Sequence, residues 1–130
     1  MSSLFYLLGD YINDIHQPEN VKEYILNAFC NICAEINENL KEAVIQHGRI
    51  LKFFQETPSI SDDIIKLAPW LLYNLYCQHI TLLLDSDDIF TSCLKILDRT
   101  LSQLLPKLSI DNLSYVVRYL NNILSIKEPF

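Results

Sequence analysis

Cys30 and Cys33 form a Cys-x-x-Cys motif, a spacing at which two thiolates can bind a metal ion or exchange a disulfide. Zinc sites of this kind need a second ligand pair, and the sequence contains neither a second Cys-x-x-Cys nor a short His pair. Cys77 and Cys93 stand alone. On a helix, thiols at this spacing pack as small apolar side chains. We therefore predict that Cys30 and Cys33 lie in a core, with no metal site and no cofactor.

The sequence contains no arrangement of residues that indicates nucleophilic catalysis. His16, His47 and His79 are scattered singly, and no motif brings Ser, His and Asp together. We therefore predict no catalytic residues and a protein that is not an enzyme. The acidic clusters at 61–63 and 85–88 are typical of helix starts, where carboxylates stabilise the positive end of the helix dipole. A contact with a basic ligand is the alternative for these clusters.

The only tryptophan, Trp70, lies four residues before Asn74 in an otherwise apolar run. At that spacing the two side chains project from one face of a helix. An indole face attracts a cation and its alkyl stem, and an amide offers both a donor and an acceptor to a peptide backbone. We predict that the pair lies exposed in a groove, with packing in the core as the alternative. Pro69 is expected to kink this helix, because it lacks an N–H and clashes with the carbonyl four residues earlier.

The composition favours a helical domain with a hydrophobic core. Half of the 130 residues are hydrophobic and 20% are charged, which excludes a disordered chain. Glycine occurs only twice, and the abundance of Leu and Ile favours helices over a turn-rich β fold. The net charge of −6 disfavours nucleic-acid binding, which needs clustered Lys and Arg. It suits a basic partner, or it simply aids solubility.

The sequence also lacks the signals of membrane insertion and secretion. No apolar run reaches the roughly 18 residues of a membrane span. The N-terminus has no basic segment followed by an apolar one, as a signal peptide would. We expect no membrane partner and an intracellular location, in the cytoplasm, the nucleus or both.

An internal repeat organises the chain. Equivalent positions about 43 and then a further ~48 residues along are mostly apolar, which is close to the ~40–47-residue period of armadillo and HEAT repeats. One polar position recurs under the same shifts, as Asn31, Asn74 and Asn122. In the first copy the apolar stripe of a helix comprises Val21, Tyr24, Ile25, Ala28, Phe29, Ile32, Cys33 and Ile36.

The predicted fold class is all-α, a right-handed α-solenoid of armadillo-like three-helix repeats. Residues 1–130 would form a single domain of about two and two-thirds repeats, with units at approximately 1–36, 37–79 and 80–128.

The helices of the second unit can be placed individually. We expect a short first helix over 39–47, a second helix over 49–56 and a long third helix from Asp62. Gly48 is expected at the corner between the two short helices, because glycine tolerates a positive φ.

Several motifs resemble the armadillo repeats of importin-alpha, the nuclear-import adaptor. They are Asn31-Ile32, Glu42-Ala43-Val44, Gly48-x-Ile50 and Trp70-x-x-x-Asn74-Leu75. The resemblance implies a concave groove lined by third helices, in which asparagines bind the main chain of an extended peptide and tryptophans hold Lys or Arg side chains. It assigns Asn31, Asn74 and Asn122 to backbone binding and Trp70 to stacking. For Asn31 and Asn122, which lack the tryptophan, the alternative is a structural role in which the amide ties neighbouring loops together through backbone hydrogen bonds. Asn27 and Arg118 occupy the positions equivalent to Trp70 in the other repeats.

The predicted function is non-enzymatic binding of a protein or peptide partner on this groove. The partner is expected to be basic, and the resemblance implies a role in nuclear protein import. The alternative is a structural subunit that stacks through apolar solenoid ends on a partner or on a second copy as a homodimer, since an uncapped solenoid exposes its terminal layers.

Overall fold

The computed structural model describes residues 2–34, 37–77 and 87–107, together with 110, 114, 117, 118 and 121. Within these residues the chain is all-α, as predicted, and no strand occurs. Its helices are α1 (Ser2–Asn13), α2 (Glu19–Ala34), α3 (Glu38–His47), α4 (Ile50–Glu56), α5 (Asp62–Ile65), α6 (Ala68–Leu72) and α7 (Asp87–Leu104). A π-helical turn, Tyr73–Cys77, follows α6, and a 3₁₀ turn, Leu105–Lys107, follows α7. None of the helices in this described part is long and apolar enough to cross a membrane.

Two compact units make up the chain, residues 1–67 and residues 68–130. The first contains α1 to α5, and the second contains α6, α7 and the two turns. The boundary between them falls inside the predicted second repeat, 37–79. The solenoid arrangement of the repeats stays a prediction.

In the first unit, α1 packs against α2, α3 and α4, and it passes the corner between α3 and α4 at Gly9. A Cβ on Gly9 would overlap the carbonyl oxygen of His47 and lie 2.9 Å from that of Gly48. Only glycine allows two backbones to approach so closely. The same packing brings the ring of Phe5 to 6.3 Å from the ring of Phe29 on α2.

The core of the first unit is built from large apolar side chains of all five helices. Each is at most 3% exposed, and burying one contributes about 1.5–3 kcal/mol. They include Phe5, Ile12, Leu26, Phe29, Val44, Ile50, Phe53, Phe54, Ile64 and Ile65. Cys30 and Cys33 lie in the same core, which confirms that these thiols pack as small apolar side chains.

The corner between α3 and α4 depends on Gly48 for a different reason from the predicted one. Gly48 is right-handed, with φ −73° and ψ −23°, so the expectation of a positive φ is wrong. A Cβ there would lie 2.7 Å from the carbonyl oxygen of Val44, to which the Gly48 N–H donates. The positive φ, 50°, belongs to Arg49. Its guanidinium donates to the Asp10 carboxylate at 2.6 Å and to the Tyr6 carbonyl at 3.0 Å, and so ties the strained residue to α1.

The buried face of α2 is rotated from the predicted stripe. Phe29 and Cys33 are buried as predicted, but Tyr24 is 73% exposed and Ala28 is exposed too, so these two assignments are wrong. The observed buried residues are Lys22, Leu26, Phe29, Cys30 and Cys33. The contacts with α1, α3 and α5 determine which face turns inward, and that face includes the long aliphatic stem of a lysine.

The predicted long third helix is broken. α5 ends at Ile65 after a single turn, Lys66 and Leu67 form a turn, and α6 begins at Ala68. Pro69 explains the break, because it has no N–H and its ring would clash with the carbonyl of Ile65. In the first turn of α6 the missing N–H costs nothing.

In the second unit, α6 packs against α7. The buried residues of α7 follow the spacing of one helix face, and they are Cys93, Ile96, Leu97, Thr100 and Leu104. The hydroxyl of Thr100 donates to the Ile96 carbonyl at 2.8 Å, so its burial leaves no orphaned donor. α5 and α7 start at Asp62 and Asp87, so the acidic clusters do lie at helix starts.

Candidate functional site

Trp70 and Asn74 do not form an exposed pair. Trp70 is partly buried, and Asn74 is only 7% exposed, with its Nδ2 donating to the Trp70 carbonyl at 3.1 Å. The prediction that Asn74 lies open in a groove is therefore wrong. The neighbouring Pro69, Leu71 and Leu75 are also buried. Most of this apolar segment is buried, so it has little polar surface to offer a peptide.

Asn31 has the opposite environment. It lies near the end of α2 and is exposed, as the predicted role requires. The third predicted asparagine, Asn122, lies outside the described residues.

Asn31 belongs to a row of side chains along the outer face of α2. The row comprises Asn20, Tyr24, Asn27 and Asn31, at positions i, i+4, i+7 and i+11, which share one helix face. We refer to these four residues as the amide–tyrosine stripe. Asn20, Tyr24 and Asn31 are exposed, and Asn27 is half-buried.

The orientation of Asn27 is held by its own helix. Its Nδ2 donates to the Glu23 carbonyl at 3.0 Å, one turn back. This is the same bond that Asn74 makes to the carbonyl of Trp70. In Asn27, however, the rest of the amide lies on a partly open surface, where its oxygen can accept a hydrogen bond.

Sequence reasoning missed Asn20 and Tyr24 as surface residues of this face. Tyr24 fits the apolar stripe by type, and it was therefore assigned to the core. The signal that could have found the face was the polar set Asn20, Asn27 and Asn31, which has helical spacing by itself. A polar row at that spacing marks the outer side of a helix better than one aromatic residue marks the inner side.

The surface of the stripe is suited to hydrogen bonding and stacking. Each amide supplies donors and an acceptor, and the tyrosine supplies a flat ring and a hydroxyl. Glu23 is half-buried beside Tyr24, and the chain as a whole carries a net charge of −6. The electrostatic potential around this face is therefore expected to be negative.

The two thiols of the Cys-x-x-Cys motif are buried. Burial raises the pKa of Cys30 and of Cys33 to about 12, so both are protonated at neutral pH. A thiol in this form is a poor nucleophile and a poor metal ligand. Across the described residues, no group of three or more His, Cys, Asp or Glu side chains is placed to hold a metal ion.

Comparison of the chain with protein-family models, with curated protein sequences and with solved structures gives no match.

Proposed function

We propose that this chain is a protein-binding module, and that α2 binds an extended segment of a partner along the amide–tyrosine stripe. The observation that carries the proposal is the exposure of Tyr24: 73% of an aromatic side chain lies open on the same helix face as Asn31. Exposed aromatic residues dominate the energetics of many protein interfaces, because their rings bury a large area at little entropic cost.

The spacing of the stripe supports an extended ligand. Side chains one helical turn apart are about 5–6 Å from each other. Alternate residues of an extended peptide are about 6.6 Å apart. Asn27 and Asn31 can therefore reach successive peptide groups on one edge of such a segment, over a short stretch.

The charge distribution supports a basic partner. The chain has 16 acidic and 10 basic side chains. The one basic residue within α2, Lys22, is 4% exposed and does not contribute a cation to the outer face. Lysine or arginine residues of a partner would meet the ring of Tyr24 and the carboxylate of Glu23.

The resemblance of the asparagine motifs to importin-alpha supports the same class of ligand. In this proposal the main-chain contacts shift from Asn74 to Asn27 and Asn31, and Tyr24 takes the stacking role. A part in nuclear import is the most specific form of the proposal, and it is supported by the resemblance of the motifs.

The proposal is tested by fluorescence anisotropy with a labelled lysine-rich peptide and a glutamate-rich peptide of the same length. We expect the chain to bind the lysine-rich peptide, and the variant Tyr24→Ala with Asn31→Ala to bind it at least about tenfold more weakly. Leu7→Ala is the matched control, because Leu7 is 64% exposed on α1, away from the stripe. Equal binding by the double variant and the unchanged chain would contradict the proposal.

A second candidate function is stacking on another copy of the chain. It is favoured by three exposed apolar side chains on α1, namely Leu4, Tyr6 and Leu7. Tyr6 and Leu7 line a shallow groove of about 370 Å³ together with His47. Light scattering of the chain and of Leu7→Glu distinguishes the candidates: self-association through α1 predicts a dimer that the variant dissociates, and a monomer at all concentrations excludes it.

A further inference from the structure

A cavity of about 260 Å³ lies in the first unit, away from the amide–tyrosine stripe. It is formed by the start of α2, the end of α4 and the segments that flank them. Ile15, Phe53 and Pro58 give it apolar walls. Its polar contributors include Lys22, Thr57 and Ser59. An engineered apolar cavity of about 150 Å³ is known to hold benzene, so this one has room for a ring and a small polar group.

Lys22 is the unusual feature of this cavity. Its residue is 4% exposed, yet within the described part of the chain its ammonium makes no ion pair and no side-chain hydrogen bond. Its Nζ lies 5.9 Å from the centre of the Phe53 ring, which gives a cation–π contact. Among the described residues, Arg49 Nε is the buried side-chain nitrogen that lacks a hydrogen-bond partner, so Lys22 Nζ is open to the cavity and a ligand there can reach it.

Of the described residues, neither Asp14 nor Glu19 forms an ion pair with the Lys22 ammonium. The hydrogen bond from the His16 N–H is the largest cause of the lowered pKa of Asp14, and the charge of Lys22 is the smallest of the contributions. The Asp14 carboxylate accepts from His16 N at 2.9 Å and from Gln17 Nε2 at 3.3 Å, and it stays with its own turn. Glu19 also lines the cavity and is exposed.

We propose that this cavity binds a small organic carboxylate with an apolar body. The carboxylate would pair with the Lys22 ammonium, and the apolar body would pack against Phe53 and Pro58. The walls favour such a ligand over inorganic phosphate, which has no apolar part to pack against them. This site is independent of peptide binding on the outer face of α2.

The experiment uses isothermal titration calorimetry with phenylacetate and with its neutral analogue phenylacetamide. We expect phenylacetate to bind the chain, and phenylacetamide to bind at least about tenfold more weakly because it lacks the charge. Lys22→Met keeps the aliphatic stem and removes the ammonium, and it should weaken phenylacetate binding by a similar factor. Lys52→Met is the matched control, since Lys52 is exposed on α4 next to Phe53; its affinity should equal that of the unchanged chain.

Folding of both variants is checked by circular dichroism before titration. Met at position 22 suits the buried site, so this variant is expected to fold. No heat of phenylacetate binding to the unchanged chain would overturn the proposal. Equal affinity of Lys22→Met, or equal affinity for phenylacetamide, would also overturn it.

Discussion

Gly9 on α1 lies against the carbonyl of His47 at the end of α3, with no room for a side chain between the two backbones. This approach fixes where α1 passes the corner between α3 and α4. It also fixes the position of Tyr6, whose carbonyl and ring both contact Arg49 after the corner.

Gly9→Ala is expected to destabilise the chain. In a helix interior, replacing glycine by alanine normally raises the free energy of unfolding by about 0.5–1 kcal/mol. Here its Cβ would overlap backbone atoms, and overpacking of this kind costs about 1–3 kcal/mol. The urea midpoint of unfolding should therefore fall, whereas Ser3→Ala, at an exposed position of the same helix, should leave it nearly unchanged. A higher midpoint for Gly9→Ala would show that α1 does not pack closely on this corner.

Arg49→Gly is expected to be less destabilising than Arg49→Ala. Both variants lose the hydrogen bonds to Asp10 and to the Tyr6 carbonyl. Only glycine removes the strain of the positive φ, 50°, which costs other residues about 1–2 kcal/mol. Urea unfolding of the two variants should differ by about 1 kcal/mol in favour of glycine. The reverse order would mean that position 49 is not left-handed in the folded chain.

The two asparagines Asn31 and Asn74 are expected to respond differently to the same substitution. Asn74→Ala removes a buried amide and its hydrogen bond to Trp70, and it should cost about 1–3 kcal/mol. Asn31→Ala changes an exposed side chain and should stay within about 0.5 kcal/mol of the unchanged chain. Thermal unfolding of both variants checks this. A larger loss for Asn31→Ala would place Asn31 in the core and remove it from the proposed binding face.

Stability is expected to fall in alkaline solution because of Cys30 and Cys33. Burial raises the pKa of both thiols to about 12 in the folded chain, whereas an unfolded thiol ionises near 8.5. Above that pH the unfolded state binds fewer protons than the folded state, so the stabilisation is complete below about pH 8.5 and is lost as the pH rises toward 12.

For each thiol, the free energy of unfolding should fall by at most about 1.4 kcal/mol per pH unit. It is measured by urea unfolding between about pH 8 and 10. The variant Cys30→Ala with Cys33→Ala should lose stability less steeply over this range, whatever its stability at neutral pH. Equal slopes for the two proteins would show that the thiols ionise as easily in the folded chain as in the unfolded one.

The sequence predicts the helices and the strongly apolar core well. The positions 43 residues after the predicted stripe of α2 include Ile64, Leu67, Ala68, Leu71 and Leu75, and all five are buried. Nearly every position of this segment is apolar, so a small error in the predicted orientation of the helix leaves the set of predicted core residues almost unchanged. The helices over 39–47 and 49–56 were also predicted to within one residue at each end, because Gly48 marks the corner between them.

The candidate site is less predictable from sequence, because α2 has apolar or amphipathic residues on more than one face. For Tyr24 and Lys22 the burial is the reverse of what their residue types suggest, because the tyrosine is exposed and the lysine is buried. Local spacing cannot resolve this, since the long stem of lysine and the ring of Phe53 come together only through the packing of α4. The sequence leaves a binding role and a structural role open for Asn31, and the residue is exposed.

The central claim is that α2 binds a peptide along Asn20, Tyr24, Asn27 and Asn31. The most direct measurement is a titration of the isotope-labelled chain with the lysine-rich peptide, followed by backbone amide chemical shifts in NMR spectra. We predict that the largest shift changes fall at these four residues and at Glu23. Changes concentrated instead on α1, at Leu4 to Leu7, or around Trp70 and Asn74, would contradict the claim.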